Sequence, residues 1–348
     1  MRIGLVGCGF IGSVHSFALR RLSDAGLVDA RVTGTFDPER DRAAALAGHH
    51  DACAFPDLDA LLDAVDVAWV CTWTAAHQQV VEAAAARGLA VFCEKPLAPT
   101  LPECETIAAT LERTPHQVGL VLRYAPVFRA IADAVASGRY GAPMATILRD
   151  DQYFPVQGIY GSEWRADVVR AGGGTLIEHS IHDVDVLRWI LGDPTEVAAR
   201  TGSRFGHTGI DDIATLTFSY ADASTASIVS VWHQILTRGS SRRLEVFCEE
   251  AMLWTDDDYL GPLHVETSAG DEVVELTPPP WLERLDVPEA LAKPIGQYAA
   301  PTKDFLDALA AGSIRTGAPS AAEALAAHRL VDLAYQSARA NGDPLTVA

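Results

Sequence analysis

The glycine spacing at the head of the chain constrains the fold more than any other feature. Residues 2–6, Arg-Ile-Gly-Leu-Val, form a short apolar run that reads as a buried strand. Gly7, Cys8, Gly9, Phe10, Ile11 and Gly12 follow as a G-x-G-x-x-G turn, and Ile11 to about Leu22 carries a helical pattern. Each glycine has a physical task in such a unit. Gly7 permits the tight turn, Gly9 lets a pyrophosphate approach the backbone, and Gly12 lets helix and strand pack closely. The unsatisfied N–H groups at the helix start then face the phosphates. A second strand, Arg31 to Phe36, ends in Asp37, whose carboxylate can accept hydrogen bonds from a ribose diol. Order and spacing predict a dinucleotide-binding unit, with Phe10 and Ile11 among the cofactor contacts. Pro38 and Glu39 follow Asp37, so NAD is the expected cofactor; Arg40 and Arg42 are the nearest cations, which leaves NADP as the lesser alternative.

The same alternation continues through the first third. Strands are predicted at 2–7, 31–36, 66–72, 89–93 and 117–122, with helices near 11–23, 39–47, 75–87 and 101–113. The strands are apolar without alternation, as in a parallel sheet covered on both faces. This predicts a doubly wound α/β domain over residues 1–122. The pattern then changes. A helix is predicted from Pro126 to Ser137, an aromatic-rich loop over 150–165, and one helix from Thr175 to Leu191 after Gly172-Gly173-Gly174. Strand-like segments follow at 195–201, 211–220, 224–234, 243–249, 251–255, 263–267 and 272–276. Alternation such as Ala214, Leu216, Phe218 against Thr215, Thr217, Ser219 implies an antiparallel sheet with two different faces. Helices near 301–311 and 319–340 end the second domain, 123–348, and are expected to pack back on the first.

Composition narrows the function classes. A formal charge of −19 argues against a nucleic-acid partner, which needs a basic face. There is no uncharged apolar run long enough to span a membrane. The six cysteines show no C-x-x-C pair, which suits a reducing cytoplasm, and a first strand at residue 2 leaves no room for an export signal.

Three segments carry candidate chemistry. Cys93-Glu94-Lys95-Pro96 follows a predicted strand, at the sheet edge where open α/β folds bind ligands. An ammonium there can stabilise a developing alkoxide; the bland alternative is a surface lysine in an ordinary loop. Glu178, His179, His182, Asp183 and Asp185 form the second cluster. Within one helix, Glu178 and His182 share a face, so the carboxylate can orient an imidazole that accepts a hydroxyl proton. Equally, Thr175 and Glu178 have the spacing of a capping box. His179 and Asp183 read as a solvated i,i+4 pair. No cysteine lies near these residues, and no metal is expected. The third segment, Val70 to His77, places Thr72 and Trp73 beside a cofactor, Thr74 as an N-cap, and His77 either at the cofactor or in helix packing.

Taken together, the chain resembles the glucose–fructose oxidoreductase / inositol dehydrogenase / rhizopine-catabolism (Gfo/Idh/MocA) family. The resemblance rests on the N-terminal glycines, Asp37-Pro38, Thr72 to His77, Glu94-Lys95-Pro96, Trp164-Arg165, and the triple glycine followed by Glu178 and His182. It implies an N-terminal Rossmann fold and a C-terminal α+β domain with a large open, mostly antiparallel sheet. It also implies NAD(P)-dependent oxidation, reversible, of a secondary hydroxyl of a sugar, sugar derivative or inositol. The family's catalytic lysine falls on Lys95, its helix carboxylate on Glu178 and its histidine on His182. Trp164 and Arg165 fall near the nicotinamide. Arg123, Tyr153, Tyr160, Trp164 and His179 join Lys95 and His182 as candidate substrate contacts, and Arg123 also as a cofactor contact. Two positions depart from the pattern: the helix carboxylate is commonly Asp, and Trp73 stands where proline is frequent. Regulators within the family tend to have lost the lysine–histidine pair, which this chain retains. A sheet with one uncovered face predicts a homodimer or homotetramer through that face. A non-catalytic sensor and a dehydrogenase of a non-sugar diol are the alternative readings.

Overall fold

The computed structural model of the protein describes residues 1–312 and 318–347, which fold as two compact units. The first comprises Met1–Val121 and Pro279–Leu325, the second Leu122–Pro278 and residues 326–348 of the chain.

The first unit winds β1 (Arg2–Val6), α1 (Phe10–Asp24), β2 (Arg31–Phe36), α2 (Arg40–Gly48), β3 (Cys53–Ala54), α3 (Leu58–Leu62), β4 (Val67–Val70), α4 (His77–Ala85), β5 (Ala90–Cys93), α5 (Leu101–Leu111) and β6 (His116–Val118). Among the described residues the sheet order is β3-β2-β1-β4-β5-β6, and every neighbouring pair is parallel. The order reverses between β1 and β4, where an open α/β sheet forms its binding crevice. Alternate strand residues serve two cores. Ile3, Leu5, Val67, Trp69 and Phe92 pack with Leu19, Phe305 and Leu306 on one side. Val6, Ala68, Val70, Val91 and Cys93 pack with Leu62, Val81 and Ile107 on the other. Burying both faces explains why these strands show no polar alternation.

The second unit contains α6 (Pro126–Ala136), β7 (Pro143–Tyr153), α7 (Val168–Ala171), α8 (Thr175–Glu178), α9 (Ile181–Leu191), β8 (Glu196–Gly202), β9 (Ile213–Ser219), β10 (Thr225–His233), β11 (Ser241–Cys248), β12 (Ala251–Thr255), β13 (Leu263–Thr267) and β14 (Gly270–Val274). Helix α10 (Glu289–Ala310) belongs to the first unit; α11 (Ala321–Arg339) and β15 (Leu345–Thr346) close the chain. The described strands form one sheet, β14-β13-β12-β11-β7-β10-β9-β8-β15, antiparallel except for β7 beside β10. Ala214, Leu216 and Phe218 lie on the buried face, and Ile147 and Val229 are exposed on the opposite one.

Several expected boundaries change. Strand β7 runs through the segment 150–153 expected as loop. Its charges Arg149, Asp150 and Asp151 disguise a central strand, and the ion pairs that allow Asp150 to be buried come from distant residues. The strand expected at 117–122 ends at Val118, and a 3-10 turn follows at Val121–Tyr124. Helix α10 starts well before 301 and continues through Pro294 and Pro301. The expected single helix 175–191 breaks between α8 and α9. The Ser180 amide reaches back five residues to the Thr175 carbonyl at 2.9 Å, which interrupts the four-residue register between Glu178 and His182.

Candidate active site

In the first unit the glycine turn has the predicted local geometry. Gly7 has φ +91°, and a Cβ there would meet the Cys71 carbonyl oxygen at 2.5 Å. A Cβ on Gly12 would collide with the Gly7 carbonyl. A Cβ on Gly9 would meet nothing within 4 Å, so the backbone there faces open space. Gly9 is also the N-cap of α1 and supplies no side chain to its amides. This arrangement fits a phosphate ligand. Asp37 accepts from Cys8 N and Glu39 N, one bond to each oxygen at 2.8 Å. Each oxygen retains acceptor capacity for a ribose hydroxyl. Burial, with Asp37 beside it, pushes the Cys8 thiol up to about 12, which keeps it protonated at neutral pH. Phe10 is exposed at the turn.

The neighbouring crevice wall comes from the segments after β4 and β5. The Thr72 hydroxyl is buried without a hydrogen-bond partner among the described residues. Such an orphan at a crevice fits a group that arrives with the cofactor. Thr74 opens a 3-10 turn, Thr74–Ala76, and the N-cap of α4 is Ala76, so the expected cap at Thr74 is corrected. His77 is buried. Its Nδ1 lies 3.0 Å from the Pro96 carbonyl and its Nε2 3.2 Å from the Thr72 carbonyl. The ring therefore ties the Thr72–Trp73 segment to the turn after Lys95.

Glu94 is buried beneath Lys95 and accepts from the Lys95 amide at 3.1 Å. Its other oxygen lies 2.7 Å from His15 Nε2 on α1. Burial works to raise the Glu94 carboxyl, but the hydrogen bond and charge of His15, with Lys95 nearby, hold it below its ordinary value. A Cβ on Gly119 would meet Glu94 Oε1 at 2.6 Å, so this carboxylate needs glycine opposite it. His15 thus links the nucleotide helix to the lysine turn. In the sequence, helix periodicity marks His15 only as another buried position.

In the second unit Arg165 donates from Nε to Glu178 Oε2 at 3.1 Å and stacks over Trp164. The capping box is not formed. The Thr175 amide donates to the Asp211 carbonyl at 2.7 Å, and its hydroxyl pairs with Ser230 at 2.7 Å. The Gly172–Gly174 turn is held instead by Asp211, which accepts from Gly174 N, Leu176 N and the Tyr335 hydroxyl at 2.8–3.0 Å. No local motif in the sequence marks this residue. Arg123 makes a two-pronged bond to Asp185, 2.8 and 2.6 Å. His179 and Asp183 are both buried and have separate partners: Asp150 lies 3.4 Å from His179, and Arg242 lies 2.9 Å from Asp183. The expected solvated pair is therefore corrected. Tyr153 and Tyr160 pack ring to ring at 5.3 Å, and the Tyr153 hydroxyl accepts from Ile159 N. His182 is buried in the first turn of α9. Lys95 belongs to the first unit; Glu178 and His182 belong to the second.

Among the described residues no cluster of three metal-ligating side chains is arranged around a common point, and no helix is long and apolar enough to cross a membrane. The six cysteines are free; Cys53 alone among them is exposed.

Comparison with known proteins agrees with this architecture. Residues 1–121 match the GFO/IDH/MocA oxidoreductase family with an NAD-binding Rossmann fold, and residues 128–254 match the GFO/IDH/MocA C-terminal domain. The inositol 2-dehydrogenase of Rhizobium meliloti (strain 1021) is 29% identical over 97% of this chain and 96% of its own. Inositol 2-dehydrogenase 3 of Saccharopolyspora erythraea is 33% identical over 60% of each. The structure of levoglucosan dehydrogenase with NADH and levoglucosan superposes with TM-score 0.88, covering 100% of this chain and 99% of the other at 21% identity, a likeness of fold. A putative myo-inositol dehydrogenase from Sinorhizobium meliloti 1021 superposes with TM-score 0.79 over 100% of both chains at 25% identity.

Proposed function

We propose that this chain, which belongs to the GFO/IDH/MocA oxidoreductase family, catalyses the reversible NAD-dependent oxidation of a secondary hydroxyl on a sugar, sugar derivative or inositol. The observation that carries the reading is Lys95, set two residues after β5 on a sheet whose first turn fits a dinucleotide. Lys95 donates a hydrogen bond to the substrate oxygen and stabilises negative charge as it develops there. His182 accepts the hydroxyl proton. Arg165 and Glu178 hold one another beside the segment that carries His182. The bound nicotinamide supplies the hydride acceptor, so one alcohol and NAD⁺ give one ketone, NADH and a proton. Tyr153, Tyr160 and Trp164 offer aromatic faces to the C–H face of a ring substrate. Arg123 acts through Asp185, and His77 and Glu94 act by placing the cofactor wall.

In this reading residues 1–122 bind the cofactor, and residues 123–348 bind substrate and associate with a second copy through the exposed sheet face carrying Ile147 and Val229. The enzyme works in the cytoplasm. The test is incubation with NAD⁺ and a panel of inositols, aldoses and anhydrosugars while NADH absorbance is followed. One member is expected to be oxidised, and Lys95→Ala should lower its kcat roughly a hundredfold while NAD⁺ binding persists. Near-normal turnover in a folded Lys95→Ala protein would overturn the mechanism.

A further inference from the structure

The second unit buries a charge cluster with no assigned part in hydride transfer. Asp150 comes from β7, Asp183 from the first turn of α9, Arg242 from β11 and Asp258 from the turn after β12. The Arg242 guanidinium donates to Asp183 Oδ1 at 2.9 Å, Asp150 Oδ2 at 3.0 Å and Asp258 Oδ2 at 3.2 Å. Asp150 and Asp183 are each 0% exposed. Asp150 and Asp183, both ionised against the one guanidinium, would leave excess negative charge among groups shielded from water. Buried charge of that kind is removed by taking up a proton.

Two oxygens of the cluster lack a donor. Asp150 Oδ1 and Asp183 Oδ2 are buried and receive no hydrogen bond from any described group. Their other oxygens, Asp150 Oδ2 and Asp183 Oδ1, both bond the one Arg242 guanidinium, which makes the two carboxyl groups neighbours. Two acceptors cannot bond without a hydrogen between them.

We propose that Asp150 and Asp183 share one proton at neutral pH, and that this dyad, anchored by Arg242, is the positioning device that seats the first turn of the His182 helix on the sheet. Burial, with Asp183 close by, raises the Asp150 carboxyl well above its ordinary value against the pull of Arg242. The other groups facing the cluster are His179, 3.4 Å from Asp150 Oδ2, Asp258, and Tyr160, which feels both Asp150 and Arg242. Asp151, the next residue on β7, has its own partners in Arg238 and Arg149. Asp185 pairs with Arg123. Losing the proton would set two carboxylates against each other across β7 and α9 and loosen the helix that carries His182. The kinetic consequence rests on the function proposed above; the proton itself does not.

The test is Asp150→Asn in the full chain. The amide mimics a protonated carboxyl: its NH₂ donates to Asp183, and its oxygen accepts from Arg242. Infrared spectra of the wild type at neutral pH should contain the carbonyl band of a protonated carboxylic acid, lost on alkaline titration and missing from Asp150→Asn. A raised native pKa means that the proton's stabilising effect is present below about pH 4 and is lost as pH rises through the native value. The melting temperature of the wild type should therefore fall behind that of Asp150→Asn as pH increases. In the active enzyme the alkaline fall should act on kcat rather than KM, and should be absent from the variant. A wild type with no protonated-carboxyl band, or pH–stability curves of identical shape, would overturn the proposal. If Asp150→Asn does not fold, the wild-type infrared titration and Asp183→Asn decide the matter. If no polyol is oxidised, the infrared and stability measurements still stand, so the two failures are distinguishable.

Discussion

Replacing Asp37 by serine tests the cofactor site where its geometry is most explicit. The carboxylate holds the Cys8 and Glu39 amides and has acceptor capacity left on both oxygens for a ribose diol. A 2′-phosphate in that place would stand about 4 Å from the carboxylate. At an effective dielectric near 20 the repulsion is about 4 kcal/mol. Asp37 is half-buried, so solvent screening reduces this. A net difference of about 1.4–4 kcal/mol, roughly ten- to a thousandfold in Kd favouring NAD⁺, is expected. Rescue by a nearby cation is limited because Arg42 lies 3.2 Å from Glu39 Oε1 in an exposed pair. Asp37→Ser removes the repulsion and also takes an acceptor from the Cys8 amide. NADP⁺ affinity should therefore rise while NAD⁺ affinity falls. Calorimetric titration with each dinucleotide measures both without a known substrate. Wild-type protein that binds NADP⁺ as tightly as NAD⁺ would refute the reasoning.

Three further substitutions address the second unit. His182→Ala should lower kcat by about a hundredfold with NAD⁺ affinity preserved, and added imidazole should restore part of the rate; a wild-type rate would make His182 structural. Glu178→Gln takes the counter-charge from Arg165, so turnover should drop about tenfold and stability by about 1–3 kcal/mol, read from parallel kinetics and urea unfolding; unchanged kinetics in a folded protein would remove Glu178 from the mechanism. Asp211→Ala leaves the Gly174 and Leu176 amides without their acceptor, and a loss of about 2–4 kcal/mol is expected from the urea midpoint; a midpoint equal to the wild type would show that water replaces the carboxylate.

Local chemistry and periodicity made much of the chain legible. The spacing of Gly7, Gly9 and Gly12 depends on backbone approach within one turn, and the uninterrupted apolar runs of β1, β4 and β5 report a sheet covered on both faces. Lys95 could be placed because it lies two residues past such a run. The same kind of reasoning misled at 175–191, where an apolar helical pattern concealed a rewound turn at His179–Ser180. It also misplaced Thr175, whose hydroxyl is taken by Ser230, fifty-five residues away.

The sequence by itself therefore determined the doubly wound first domain, the dinucleotide turn and the residues offered for chemistry, because these follow from contacts a few residues apart. Tertiary structure alone decided which polar groups share a buried site. Asp150, Asp183 and Arg242 lie on three separate elements, and each looks locally like a solvated surface charge. His15 and Glu94 are 79 residues apart, and Asp211 reaches the glycine turn from 37 residues away. A buried charge is tolerated only beside its partner, and the partner's position is set by the packing of whole strands and helices, which no short window of sequence contains.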